Sequence, residues 1–255
     1  MNEATTALAL ETRLLCKSFG ALTVADRIDF RLQRGARHAL IGPNGAGKTS
    51  FVNLVTGALR PDSGEILIDG SVVTELAQSV RVKRGLARTF QVTALFRRLS
   101  ALENVTLAIA EREGVAGDLA RPAGRYRWII EEAFALLEGL ELAADALRPV
   151  NMLAYGRQRL IEIAVALGLG PKVLLLDEPA AGVPSRETEL VASVVERLPS
   201  DIAVLIIDHD MGLVFRLARR ITVMVEGRIL VEGPPEAIAA DPEVRRVYLG
   251  EHERR

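Results

Sequence analysis

The sequence predicts an α/β fold in which a mostly parallel sheet carries the chemistry and a helical segment is inserted into it. Three observations lead there. A short apolar run, Arg37 to Ile41, is followed by a glycine-rich loop and then by the helical pattern Lys48 to Leu59. From Pro171 onward the chain alternates strand and helix, with fully apolar strand candidates at Val173–Leu176 and Ala203–Ile207, the mark of strands buried on both faces. Between these two regions the periodicity turns helical.

Taken in order, the first part reads as short strands at Leu14–Cys16, Ile28–Leu32 and Arg37–Ile41, parted by Gly20-Ala21 and the turn Gln33-Arg34-Gly35. On the helix Lys48 to Leu59, Phe51, Val52, Val55 and Ala58 share one stripe. Pro61-Asp62-Ser63-Gly64 turns into a strand, Glu65–Ile68, and Asp69-Gly70 into another. Ser100-Ala101-Leu102-Glu103 fits a capping box, Gly114–Gly124 a loop, and Trp128–Leu142 a helix, with Trp128 read as packing in the helical core. Helices are expected at Ser185–Leu198 and Met211–Ala218, strands at Ile221–Val225 and Arg228–Val231, and two short helices in Pro235–Leu249. The expected division is a core over residues 1–91 and 160–255 with an antiparallel β subdomain, and a helical subdomain over 92–159.

Composition excludes several classes. The 255 residues are 49% hydrophobic and 25% charged, with a mean hydropathy of +0.20, so the chain is not a disordered one. No apolar run reaches the roughly 18 residues of a membrane span, and the start, MNEATTALALETR, does not read as a secretory signal. A single cysteine, Cys16, excludes an internal disulfide and suits a reducing compartment. Net charge is −1, which offers no electrostatic case for bulk nucleic-acid binding. Of 32 cationic side chains only four are lysines (Lys17, Lys48, Lys83, Lys172), and one of these lies in the most informative segment.

That segment, Gly42-Pro43-Asn44-Gly45-Ala46-Gly47-Lys48-Thr49, matches G-x-x-x-x-G-K-[ST] between a strand and a helix. Backbone N–H groups of such a loop cradle phosphate oxygens at a helix N-terminus. Lys48 is placed to reach the β- and γ-phosphates and Thr49 to ligate magnesium; Ser50 completes the expected ATP-binding set. Asp177 and Glu178 follow the buried run Val173–Leu176, at the carboxyl end of a strand, where open parallel sheets bind ligands. Asp177 is expected to hold hydrated magnesium and Glu178 to act as general base on water. His209 follows Ile206-Ile207-Asp208, again at a strand end. It is read as orienting the water or the Glu178 carboxylate, against the commoner structural role of a lone histidine. These elements together predict a nucleotide-hydrolysing core.

In this order the motifs resemble the nucleotide-binding subunit of an ATP-binding cassette (ABC) transporter over nearly the whole chain. Arg88-Thr89-Phe90-Gln91 is similar to the glutamine loop of that family, and Leu153-Ala154-Tyr155-Gly156-Arg157-Gln158 to its signature segment, usually LSGGQ. Asp208-His209-Asp210 resembles the histidine switch, and Phe19 stands where the family stacks an aromatic ring on adenine. The resemblance implies a P-loop NTPase (RecA-like) class with ATP as the nucleotide, and that Gln91 touches magnesium and the attacking water. It also implies that two cassettes pair head to tail, the signature of one facing ATP on the other, with the start of a helix over Arg159–Leu167 aimed at the partner's γ-phosphate.

GPNGAGK, RTFQ, LAYG, DEPAAG, HDM and the tail Tyr248-Leu249-Gly250-Glu251 are similar to one ATPase subunit of branched-chain amino-acid importers. The implied partners are a second ATPase subunit, identical or paralogous, a multi-span permease and, through it, an extracytoplasmic solute-binding protein. The implied place is the cytoplasmic face of the membrane. A urea or amide importer, a lipopolysaccharide exporter and a soluble cassette ATPase are the alternatives; a P-loop kinase is disfavoured because nothing resembles an acceptor lid. Ala154, Tyr155, Arg157 and Pro184 depart from the family pattern; the first two are subfamily traits. Leu95, Phe96 and Leu99, within Val92–Leu102, are candidate walls of the groove that receives a permease helix. Arg81, Lys83, Arg84, Arg88, Arg97 and Arg98 are read as a solvated surface or rim.

Overall fold

The computed structural model describes residues 7–89, 95–117, 126–183 and 185–249. The chain opens with two long antiparallel strands, β1 (Leu8–Phe19) and β2 (Leu22–Gln33). The expected strand Leu14–Cys16 is part of β1, at a break in register between Thr12 and Leu15. There Leu14 takes φ +45 and its N–H turns to Asp29 Oδ1 at 2.8 Å, the local kink of a bulge. β3 (Arg37–Ile41) and α1 (Lys48–Thr56) follow. Gly57 closes α1 in the left-handed region, three residues before the expected end. β4 (Ser63–Ile68) and β5 (Ser71–Val72) complete a four-stranded antiparallel sheet of order β2-β1-β4-β5.

Two elements come without warning from the sequence: α2 (Gln78–Lys83) and β6 (Leu86–Arg88). Six- and three-residue elements carry too few turns for a period to show. Arg81, expected at a solvated rim, corrects that reading: it is 2% exposed. It donates to Leu54 O and Val55 O at the end of α1 and to Thr74 O and Leu76 O ahead of α2, at 2.7–3.0 Å, so one guanidinium ties the end of α1 to the segment that leads into α2.

The helical layer contains α3 (Ala101–Arg112) and α4 (Arg127–Gly139). The Ser100/Glu103 capping box is formed. Trp128 is 44% exposed, which corrects its expected place in the core. The buried stripe of α4 is Ile129, Ala133 and Leu137, spaced four apart, and Trp128 lies off it. α5 (Tyr155–Gly168) begins four residues before the expected Arg159 and runs across the expected boundary at 159/160.

Beyond it come β7 (Val173–Asp177), α6 (Ser185–Glu196), β8 (Ala203–Ile207), α7 (Met211–Leu217), β9 (Arg220–Val225), β10 (Arg228–Gly233), α8 (Pro235–Ala240) and α9 (Pro242–Leu249). The second sheet has the order β10-β9-β3-β8-β7-β6. It is parallel except for the β9–β10 hairpin. Its strands bury alternate residues in two cores. Leu174, Leu176, Val204 and Ile206 face the helical side with α5 and α6, while Val173, Leu175, Ala203 and Leu205 face α1 and the antiparallel sheet. Every residue of β7 and β8 is buried, as a sheet covered on both faces requires.

Candidate nucleotide site

β3 delivers the chain to Gly42 at the carboxyl edge of the parallel sheet, and α1 starts at Lys48. Gly47, the N-cap of α1, has φ +98, and a Cβ there would lie 2.4 Å from Val24 O. At Gly42 a Cβ would lie 2.1 Å from Met224 O. The loop is thus wedged between β2 and β9, and no larger residue fits either position. Lys48 Nζ donates to Gly42 O at 2.5 Å and Pro43 O at 2.9 Å, folding its ammonium back over the loop. Gly47 offers α1 no side-chain cap, which leaves the start of the helix open to an anion.

At the end of β7, Asp177 is 5% exposed. Its Oδ2 accepts from Arg88 Nη2 at 2.6 Å, and Arg88 Nη1 donates to Asn53 Oδ1 of α1 at 2.9 Å. Arg88 therefore leaves the solvated rim where the sequence reading put it. Glu178 adopts φ +47, a left-handed backbone costly for a residue with a Cβ. It is held by its N–H to Ile207 O at 2.7 Å. His209 Nδ1 lies 3.6 Å from Glu178 Oε1, so the histidine and the acid expected to act together do meet. Asp208 Oδ1 accepts from the His209 and Asp210 N–H groups at 2.7 and 2.9 Å. Burial raises the Asp208 pKa, those bonds oppose the rise, and Glu178 adds to it.

The segment Leu153–Gln158 sits at the start of α5. Gln158 Nε2 donates to Leu153 O at 2.8 Å, and Arg157 Nη1 to Glu141 O at 2.5 Å. The Gly156 N–H donates to Glu187 Oε2 of α6 at 2.8 Å, so a carboxylate from the same chain engages the N-terminus of α5. One turn further, Arg159 and Glu162 form a buried pair at 2.7 Å. Burial raises the Glu162 pKa and Arg159 pulls it back. Phe19 is 53% exposed, with Lys17 Nζ 5.5 Å from its ring centroid. The ring is open for stacking. Gln91 and Pro184 lie outside the described residues. Two grooves of about 640 and 560 Å³, lined among others by Lys83, Glu111 and Lys172 and by Glu132, Arg197 and Asp201, open near the starts of β6 and β7, away from this site.

The ABC transporter model matches residues 25–181, and the branched-chain amino acid ATP-binding cassette transporter model residues 228–254. The chain is 37% identical to the high-affinity branched-chain amino acid transport ATP-binding protein BraF of Pseudomonas aeruginosa, over 95% of this chain and 98% of that one. It is 36% identical to LivG of Escherichia coli K12, of the same description, over 93% and 96%. The chain belongs to the ABC transporter ATP-binding family. As the motifs implied, it is an ATP-binding cassette and an ATPase. Its fold agrees with the ADP conformation of MJ1267, an ATP-binding cassette of an ABC transporter, at TM-score 0.82 and 29% identity, over 96% of this chain and all of that one.

Within this cassette the donor set suits a magnesium ion carried in on a nucleotide. Among the described residues no group of three His, Cys, Asp or Glu could hold a metal. The Thr49 hydroxyl, at the first turn of α1, and the Asp177 carboxylate are hard oxygen donors of the kind that complete a magnesium shell with phosphates and water. Two contacts here are not legible in the sequence: the Arg88 clamp on Asp177 and the Glu187 bond to Gly156. Neither had a local signal, since β6 is too short to recognise and Glu187 resembles any acid in a first helical turn.

Proposed function

We propose that this ATPase powers an importer of branched-chain or other hydrophobic amino acids from the cytoplasmic face of the membrane. The named substrates of BraF and LivG support this solute class, as does the match of the C-terminal residues 228–254. The observation that carries the hydrolytic reading is the meeting of Glu178 and His209 at 3.6 Å, beside an Asp177 that is already clamped.

In this reading Phe19 stacks on the adenine. Gly42 and Pro43 shape the turn into the loop, Asn44, Gly45, Ala46, Gly47 and Ser50 surround the phosphates with N–H and hydroxyl donors, and Lys48 neutralises the β- and γ-oxygens. Thr49, Asp177 and Gln91 would hold magnesium, which would supply positive charge to offset that of the phosphates. Glu178 takes a proton from the attacking water, and His209 holds the acid and the water in line. Leu153, Ala154, Tyr155, Gly156, Arg157 and Gln158 act in trans, across a head-to-tail pair with a second ATPase subunit. Residues 1–91 and 160–255 form the ATPase core and 92–159 the signature subdomain, joined by α5 as one continuous rod.

The helical layer is the side for a multi-span permease, which in turn takes solute from an extracytoplasmic binding protein. Phe96 is 62% exposed there while Leu95 is buried, so Phe96 is the apolar contact and Leu95 its support. Among the described residues no helix is long and apolar enough to cross a membrane.

The test is Glu178→Gln. General-base loss should cut steady-state ATP hydrolysis by about 10²–10⁴-fold, while ATP binding persists and an ATP-dependent dimer accumulates on gel filtration. Unchanged turnover would sink the base assignment. Loss of labelled leucine uptake on deleting the gene, with urea uptake intact, would decide the solute.

A further inference from the structure

Arg88 is joined to both halves of the phosphate site. It lies on β6, in register with Leu175 of β7. Its side chain is 14% exposed and that of Asp177 6%. One guanidinium nitrogen, Nη2, donates to Asp177 Oδ2 at 2.6 Å, and the other, Nη1, donates to Asn53 Oδ1 at 2.9 Å. Asn53 stands on α1, five residues after Lys48 of the phosphate loop. The third nitrogen, Nε, is buried and has no hydrogen-bond partner among the described residues. A buried guanidinium retained with an unmade bond argues that the two bonds it does make matter to the site.

A guanidinium is planar, and its two terminal nitrogens sit in a rigid fork. One plane therefore fixes Asn53 and Asp177 relative to each other. Asp177 Oδ2 is taken; Oδ1 accepts no hydrogen bond from the described residues, and the other bond at Asp177 is a long one from its N–H to Thr89 Oγ1 at 3.4 Å. A magnesium shell tolerates little error in ligand position, with oxygens at about 2.0–2.1 Å in near-octahedral geometry. A carboxylate held by one oxygen presents the other in a defined direction, and partners of this kind behind a ligand tune metal affinity.

We propose that Arg88 is a positioning residue: by bridging Asn53 and Asp177 it aims Asp177 Oδ1 at the magnesium of MgATP and sets the distance from the acidic strand end to the phosphate-loop helix. This rests on the reading of Asp177 as the magnesium side of the site. A role limited to pinning β6 against β7 would affect nucleotide binding with or without the metal. The proposed role acts through the metal alone.

The experiment uses the full chain and a ribose-labelled fluorescent ATP, titrated in magnesium chloride and separately in EDTA. Magnesium is also titrated in the hydrolysis assay. For Arg88→Met the magnesium needed for half-maximal hydrolysis should rise about tenfold, with nucleotide affinity in EDTA within about twofold of wild type. Asn53→Ala, which leaves the ion pair in place, should shift the magnesium dependence the same way by a smaller factor and serves if Arg88→Met does not fold. Arg88→Lys, which keeps the charge and loses the fork, should fall between wild type and Arg88→Met. An unchanged magnesium dependence in Arg88→Met and Asn53→Ala overturns the proposal, and so does an affinity loss in EDTA as large as that in magnesium. Asp177→Asn separates the two levels. If it too leaves the magnesium dependence unchanged, the reading of Asp177 fails; if it shifts that dependence and the Arg88 and Asn53 variants do not, only the positioning role fails.

Discussion

In the parallel sheet the apolar residues are inside, and beside α1 two arginines are tied down, whereas on the helical layer many apolar residues are outside. β7 and β8 bury all ten of their residues, and Arg81 and Arg88 spend their donors on carbonyls, Asn53 and Asp177. On the other side, Leu107, Trp128, Ile130 and Phe134 are 40–45% exposed, and Leu147 and Met152 reach 79% and 69%. The same composition thus serves two purposes. In the strands it supplies burial that stabilises the chain; on α3, α4 and the turns before α5 it forms a surface that contributes little to the stability of the isolated chain.

Removing the cation that caps α1 should break the contrast hardest. Arg81→Met would take the guanidinium donor from four carbonyls, of which Leu54 O keeps the Gly57 N–H. At about 1–3 kcal/mol per unsatisfied group, partly relieved by relaxation, we expect a loss of about 3 kcal/mol or more in urea denaturation. A loss below about 1 kcal/mol would mean that Arg81 is not what holds α2 to α1.

A smaller effect, confined to acid, is expected at His38. This ring is 1% exposed, packs 5.0 Å from Phe30 and shares a 2.8 Å hydrogen bond with Thr222. Burial, partly offset by Glu232, lowers its pKa to about 4. The unfolded chain takes up a proton at a pKa of about 6.5 and the folded one does not, so between pH 6.5 and 4 the unfolded state binds more protons. Stability is therefore lost as pH falls through that window, by up to about 3 kcal/mol. His38→Gln should flatten the dependence of the urea midpoint on pH between 7 and 4.5; the same acid slope as wild type would show that another group dominates.

The smallest effect belongs to the outer face. Phe134→Ser on α4 should change stability by no more than about 0.5 kcal/mol. A loss above about 2 kcal/mol would show that the ring is packed within the chain and would erase the distinction between the two regions.

How far the molecule could be read from its sequence follows from the range of the interactions. β8 occurs at the residues expected of it because a doubly buried strand is an unbroken apolar run, and β3, which opens on Arg37-His38, because the turn before it and the glycine-rich loop after it mark its ends. The phosphate loop, Asp177, Glu178 and His209 were legible because each directly follows such a run. α5 was expected to begin too late: Tyr155 and Gly156 are weak helix formers, and here Glu187, 31 residues away, holds the first turn. Arg88 and Asp177 are 89 residues apart, and only the parallel pairing of β6 with β7 brings them together. Trp128 was assigned inward from helicity alone, and the four-residue spacing of Ile129, Ala133 and Leu137 places it elsewhere.

The wedged phosphate loop has one more consequence. Its shape is imposed by Val24 of one sheet and Met224 of the other, which leave no room for a Cβ at Gly47 or Gly42. The backbone freedom of these residues, about 1–2 kcal/mol each at room temperature, is therefore lost during folding and not during binding. An arriving phosphate meets a rigid receptor, so its affinity reports on the packing of two sheets as much as on the loop. Both constraints come from main-chain carbonyls, so it is the placement of β2 and β9, and not the side chains of Val24 and Met224, that the nucleotide senses.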